Sequence, residues 1–220
     1  MAKGTQKQFA VIGLGRFGSS VAHTLYAHGH QVLGIDAEEE RVRANLDNCT
    51  RVVEADATDE QALRALGIRN FDTVIVGIGG DIQASILVTL TLKELGVKQV
   101  VTKAQSDVHG KVLYKVGADR VVFPERDMGM RVARNLVASN ILEYIELAPE
   151  LSILEFLVSD EMVGQSLRGL DLRGRYGSNI IAIKRGDAFE LAVNADYKVQ
   201  GGDVLVLVGR NEDLKRLERA

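Results

Sequence analysis

The chain has 220 residues, 46% hydrophobic and 26% charged, an ordinary globular mix long enough to bury a full core. A net charge of −3 with basic residues spread along the chain argues against a nucleic-acid partner, and a single cysteine, Cys49, without any Cys/His metal spacing excludes an internal disulfide and a zinc site. A reducing cytoplasmic compartment is expected, no signal-peptide pattern or run of about 18 apolar residues occurs, and any membrane role is expected to come through a partner protein.

From residue 8 to 123 short apolar segments alternate with amphipathic ones. Strands are predicted at 9–12, 32–35, 52–53, 74–78, 100–102 and 121–123, with helices near 17–27, 38–46, 59–66, 82–95 and 108–116. This alternation predicts an α/β fold with a Rossmann-like, doubly wound parallel sheet. The glycines at 29, 67, 96 and 117 stand where helices should stop in a left-handed cap. Pro124 opens a long helical stretch with Met128, Val132, Leu136 and Val137 on one face, and Pro149 follows its expected end. Further on, strands are predicted at 151–158, 180–183, 189–193 and 204–208, with turns at Gly186-Asp187 and Gly201-Gly202-Asp203 and a terminal helix over 212–219. The predicted organisation is a nucleotide-binding domain over 6–123, a connecting helix over 124–139 and a second, smaller α/β domain over 140–220. That domain is small enough that pairing with another copy is expected.

The sharpest motif is Gly13-Leu14-Gly15-Arg16-Phe17-Gly18, placed between a strand and a helix. Gly13 permits the tight turn, Gly15 lets backbone approach a phosphate, and Gly18 lets the helix pack on the sheet; the helix N-terminus then offers N–H groups and partial positive charge to an anion. Asp36 ends the second strand 18 residues after Gly18, where a carboxylate accepts from ribose hydroxyls. Ligands of such folds lie outside the carboxyl ends of the strands. Asp56-Ala57-Thr58 is therefore a candidate border for adenine, Ile78-Gly79-Gly80 for close backbone approach, Lys103 for a phosphate and Glu125 for a divalent cation. His109, on the helix after strand five, is a further candidate contact. Arg16 adds a full charge beside the phosphates, which suits ATP or ADP, while Asp36 is compatible with NAD(H), ATP and ADP alike.

A nicotinamide enzyme needs a catalytic group near the cofactor and a domain that closes over substrate. No nucleophile–base spacing stands out here, and His23, His28 and His30 cluster at one helix end. A non-catalytic nucleotide-binding protein is the leading reading; a small NAD(P)-dependent oxidoreductase or a Rossmann-type redox sensor is the alternative.

QFAVIGLGRFG, Asp36, IGGDIQAS, VTKAQ, GADRVVFPERDMG and the later LRGRYG together resemble the regulator of conductance of potassium family, above all the cytosolic subunits of Ktr-type uptake systems, with Trk subunits as the wider group. The resemblance implies dimers assembled into an octameric ring under a dimeric potassium-translocating membrane subunit, with ATP and ADP holding the ring in different shapes. It implies that Arg16 approaches the terminal phosphate and that Glu125 is linked to a divalent cation such as Mg²⁺. In some members the C-terminal domain binds cyclic di-AMP between two subunits through an arginine and an asparagine six residues apart. Arg173 and Asn179 have that spacing, with Val163, Leu167 and Ile180 as the implied apolar wall. A proline often seen further along that domain has no counterpart near Ala192-Val193.

Overall fold

In the computed structural model, which describes residues 6–137, 140–186 and 188–217 and only the backbone of Arg134, Asn135 and Val137, the chain divides into two units between Arg126 and Asp127. The first unit is built on six parallel strands: β1 (Gln8–Ile12), β2 (Gln31–Asp36), β3 (Arg51–Glu54), β4 (Thr73–Val76), β5 (Val100–Lys103) and β6 (Arg120–Val122), in the order β3-β2-β1-β4-β5-β6. The reversal of strand order between β1 and β4 opens the crevice that a doubly wound sheet offers to ligands. Alternating residues build the two faces. Ile12, Ile35, Val74 and Val76 pack with Leu63, Val88 and Leu92 on one side, and Val11, Val32 and Ile75 pack with Leu14 and Ala22 on the other. The helices are α1 (Arg16–Ala27), α2 (Glu39–Ala44), α3 (Glu60–Ala65), α4 (Ile82–Glu94) and α5 (Asp107–Lys115).

Each predicted strand and helix of this unit is present, with shifted ends. The fourth strand ends at Val76, two residues before its expected end, with a last bond from Gly77 N–H to the Ile12 carbonyl of β1. The second helix, expected to run to 46, ends at Ala44, and a 3-10 turn over Leu46–Asn48 follows. The cap glycines 29, 67, 96 and 117 all have positive φ.

The long helix α6 (Pro124–Val137) crosses the division between the units. The second unit is an antiparallel sheet of β7 (Ile141–Ala148), β8 (Leu151–Leu157), β9 (Asn179–Arg185), β10 (Ala188–Glu190) and β11 (Val204–Arg210), ordered β10-β9-β11-β8-β7. Leu154, Phe156, Ile183, Leu205 and Leu207 form its core with α7 (Leu167–Leu170), α8 (Leu172–Tyr176) and α9 (Asn211–Leu217). Three features differ from expectation. Strand β7 was not predicted, because two register shifts against β8 break its alternation. The strand expected at 189–193 ends at Glu190, after its three pairs with β9 are used up. The short helices α7 and α8 are held by side-chain caps, Ser166 on Gly169 and Asp171 on Gly174, rather than by a periodic apolar stripe. Asp187 of the expected hairpin turn and residues 218–219 of the expected terminal helix lie outside the described residues, as does the Val137 side chain.

Candidate functional site

The carboxyl ends of the parallel strands surround a cleft of roughly 1020 Å³, room for a mononucleotide or dinucleotide. Its floor is the glycine loop. Gly13 turns at φ 87°, and a Cβ there would come within 3.0 Å of Ile78 N; at Gly18 a Cβ would lie 1.9 Å from the Gly13 carbonyl oxygen. Both glycines are thus demanded by packing of loop, helix and β4. A Cβ on Gly15 would meet nothing within 4 Å, so here the missing side chain leaves backbone open toward the cleft.

Helix α1 has no side-chain cap and no acidic residue in its first turn, whereas α3, α4 and α5 are capped by Asp59, Asp81 and Ser106. Its N-terminal N–H groups and partial positive charge are left for an anion in the cleft. Arg16 and Phe17 line the same end.

Asp36 is 6% exposed at the end of β2. Its Oδ2 accepts from Leu14 N–H at 2.6 Å and its Oδ1 from Glu38 N–H at 2.9 Å. Opposite, Asp56, Ala57 and Thr58 form the β3 wall. Asp56 Oδ1 accepts from both the hydroxyl and the N–H of Thr58, and the hydroxyl bond leads in holding the Asp56 carboxyl below its usual range. Ile78, Gly79 and Gly80 line the β4 end, with the Lys103 ammonium 3.1 Å from where a Cβ on Gly79 would stand. Lys103 donates to Glu125 Oε1, and this bond, aided by the charges of Lys103 and Arg16, keeps the Glu125 carboxyl ionised below the ordinary glutamate range. Three cationic sources therefore converge on one end of the cleft: Arg16, Lys103 and the α1 N-terminus.

Three expected contacts are placed elsewhere. The Leu14 side chain is buried in the core beneath the sheet, and its N–H is taken by Asp36. Gly18 lies one turn inside α1, against Gly13. His109 is 3% exposed and does not line the cleft. Its Nδ1 accepts from Gln105 N–H at 3.3 Å, so it holds the β5–α5 loop, and burial lowers its pKa below 6.5. For the expected divalent cation, the described residues show no cluster of three or more His, Cys, Asp or Glu side chains, and Glu125 faces Lys103. Residues not foreseen from sequence also line the cleft, notably Glu38, Arg41, Asp81 and Gln105. Their positions depend on chain returning from loops and helix faces, for which the motif gives no signal.

In the second unit Arg173 sits exposed on α8 and Asn179 exposed at the start of β9. Val163 is 43% exposed, Ile180 is half-buried, and Leu167, at 7% exposed, belongs to the core rather than to an open wall.

The TrkA-N domain family matches residues 9–124 and the TrkA-C domain family residues 151–220. The chain belongs to the TrkA-N/TrkA-C family. It is 47% identical to the Ktr system potassium uptake protein C of Bacillus subtilis (strain 168) over 214 residues, which is 97% of either chain. The resemblance to regulators of potassium conductance, drawn from motifs in both halves of the sequence, thus holds for this TrkA-type chain. The GsuK RCK domain superposes with a TM-score of 0.68 at 20% identity and shares the fold; all of this chain is covered, but it spans only 48% of that chain. The structure of GsuK bound to ADP matches 59% of this chain and 33% of its own with a TM-score of 0.51 and 30% identity.

Proposed function

We propose that the chain is the nucleotide-sensing regulatory subunit of a potassium uptake system, binding ATP or ADP in the first unit and catalysing nothing on them. The observation that carries this is the uncapped α1 N-terminus with Arg16 and Lys103 at one end of the cleft and the Asp36 carboxylate at the other. That spacing of positive and negative groups suits phosphates and ribose respectively. Asp36 would hold the ribose, the glycine loop and Arg16 the phosphates, and Lys103 the outermost charge. A divalent cation such as Mg²⁺ would supply further phosphate neutralisation, with Glu125 as its protein ligand once Lys103 turns to the phosphates.

A ligand shifts a conformational equilibrium only through different affinity for the two states. ATP and ADP differ by one phosphate, so discrimination lies at the Arg16–Lys103–Glu125 end. Glu125 is on the first turn of α6, the element that continues into the second unit. A change of charge pairing there is the start of the signal. The output is an octameric ring that opens or closes a membrane potassium-translocating subunit from its cytoplasmic side. The second unit carries a second input, cyclic di-AMP, at Arg173 and Asn179, with Val163 and Ile180 as its apolar wall.

The test is calorimetric titration with ATP, ADP, NADH and cyclic di-AMP, followed by ion flux through the reconstituted membrane partner. ATP, and equally a non-hydrolysable analogue, is expected to raise flux over ADP. Activation by ATP but not by the analogue would make hydrolysis part of the mechanism. Equal flux with ATP and ADP would make the nucleotide a structural cofactor.

A further inference from the structure

Past Asp36 the cleft runs on between the loops that follow β2 and β3. Ala37, Ala55 and Ala57, whose side chains stop at Cβ, line it there together with Glu38, Asp56 and Thr58. Arg41 lines the same stretch. Arg41, on α2, points back toward the strand end: its Nη1 lies 3.7 Å from Asp36 Oδ2 and its Nη2 2.9 Å from Glu38 Oε1. The side chain is 46% exposed, so the guanidinium is held at the rim by two carboxylates without being sealed off.

The direction of a nucleotide in this cleft follows from its charges. The bare α1 end, Arg16 and Lys103 take the phosphates, and Asp36 takes the sugar. The base must then extend away from the phosphates, into the stretch of the cleft lined by Ala37, Ala55, Ala57 and Arg41. A guanidinium is planar and weakly hydrated and stacks on aromatic faces, with an added cation–π attraction. The small alanines leave room for a two-ring base, and the Arg41 guanidinium provides an extended flat surface against it.

We propose that Arg41 reads the base, stacking on it and setting a preference for purine over pyrimidine nucleotides. This rests on the nucleotide reading above. Arg41 adds a determinant at the end of the cleft opposite to the phosphate contacts, and Glu38 keeps its guanidinium in place. A purine offers two fused rings to the guanidinium and a pyrimidine one, so the contact is larger for the purine.

The experiment is titration of the full chain with ADP and UDP, as wild type, Arg41→Ala and Arg41→Lys. Wild type is expected to bind ADP about tenfold or more tightly than UDP. Arg41→Ala is expected to lose about tenfold for ADP and under about threefold for UDP, so that the preference collapses. Arg41→Lys is expected to lose nearly as much, because an ammonium on a flexible stem offers no plane. The ratio of the two affinities is internal to each variant and does not depend on how much of it is folded. Equal losses for ADP and UDP would show that Arg41 acts on the ribose through Asp36, and would overturn the proposal. So would an unchanged ADP affinity in Arg41→Ala, or equal affinities for ADP and UDP in the wild type. A wild type that binds neither ligand would overturn the nucleotide reading itself, and the role of Arg41 with it.

Discussion

Asp36 presents one oxygen to Leu14 N–H and the other to Glu38 N–H, so its carboxylate ties the glycine loop to the end of β2 before any ribose is present. Asp36→Asn keeps one acceptor oxygen and sets an amide N–H₂ against a backbone N–H. We expect nucleotide affinity to fall about 10- to 100-fold, the loss of a charge-assisted bond, with a folding cost of about 1–3 kcal/mol from the unpaired donor. Titration beside urea unfolding separates the two, and unchanged affinity would remove Asp36 from the site. Arg16→Ala is expected to weaken ATP binding more than ADP binding, read by the same titration; equal losses would mean that Arg16 does not meet the terminal phosphate. His109 contributes through pH. Its folded pKa lies below 6.5 because it is buried, so below pH 6.5 the unfolded chain binds a proton that the folded chain refuses. Stability is then full above that pH and declines as pH falls through it, by at most about 1.4 kcal/mol per pH unit. His109→Gln should flatten this acid limb in urea unfolding between about pH 7 and 5.5; slopes as steep as the wild type's would acquit His109.

At the scale of elements, the junction of β1, α1 and β4 is the least forgiving place in the first unit. A Cβ on Gly18 would sit 1.9 Å from the Gly13 carbonyl, and neither partner is a flexible side chain. Gly18→Ala is expected to cost about 1–3 kcal/mol, a fall in Tm of roughly 4–10 °C by scanning calorimetry; an unchanged Tm would show that α1 can slide off the loop. This junction was legible in the sequence because glycine spacing, strand and helix all follow from local pattern. The same holds for β2, β4, β5 and β6, whose apolar runs each follow a cap glycine with positive φ. The second unit was less legible for physical reasons. Strand β7 carries register shifts that hide its period, and α7 and α8 are one-turn pieces fixed by Ser166 and Asp171. Of the cleft, residues next to strand ends were readable, but Arg41 was not, since its guanidinium reaches the site only by folding back from α2. His109 was misread because its spacing after β5 does not reveal that it points into the core.

For the whole molecule, Met128, Val132 and Leu136 on α6 are 54%, 49% and 80% exposed in the single chain. Apolar side chains at this spacing form a stripe that is expected to be covered by another copy. Light scattering at micromolar concentration should therefore give a species larger than a dimer, and Val132→Asp with Leu136→Asp should reduce its mass; a monomeric wild type would refute the assembly. The strand order has a consequence for the order of events during synthesis. Strand β1 leaves the ribosome before β2 and can pair with it soon after, but its other neighbour, β4, begins only at Thr73. Gly13 is packed against Gly77 and Ile78, and Gly77 N–H closes on the Ile12 carbonyl. The phosphate cradle therefore stays unfinished on a nascent chain until β4 and Ile78 have emerged, whatever nucleotide surrounds it. Such non-local pairing is slow and leaves a strand edge open meanwhile. A truncated translation product ending before β4 would display β1 as that open edge, making it a substrate for chaperones and proteases and not a partial sensor.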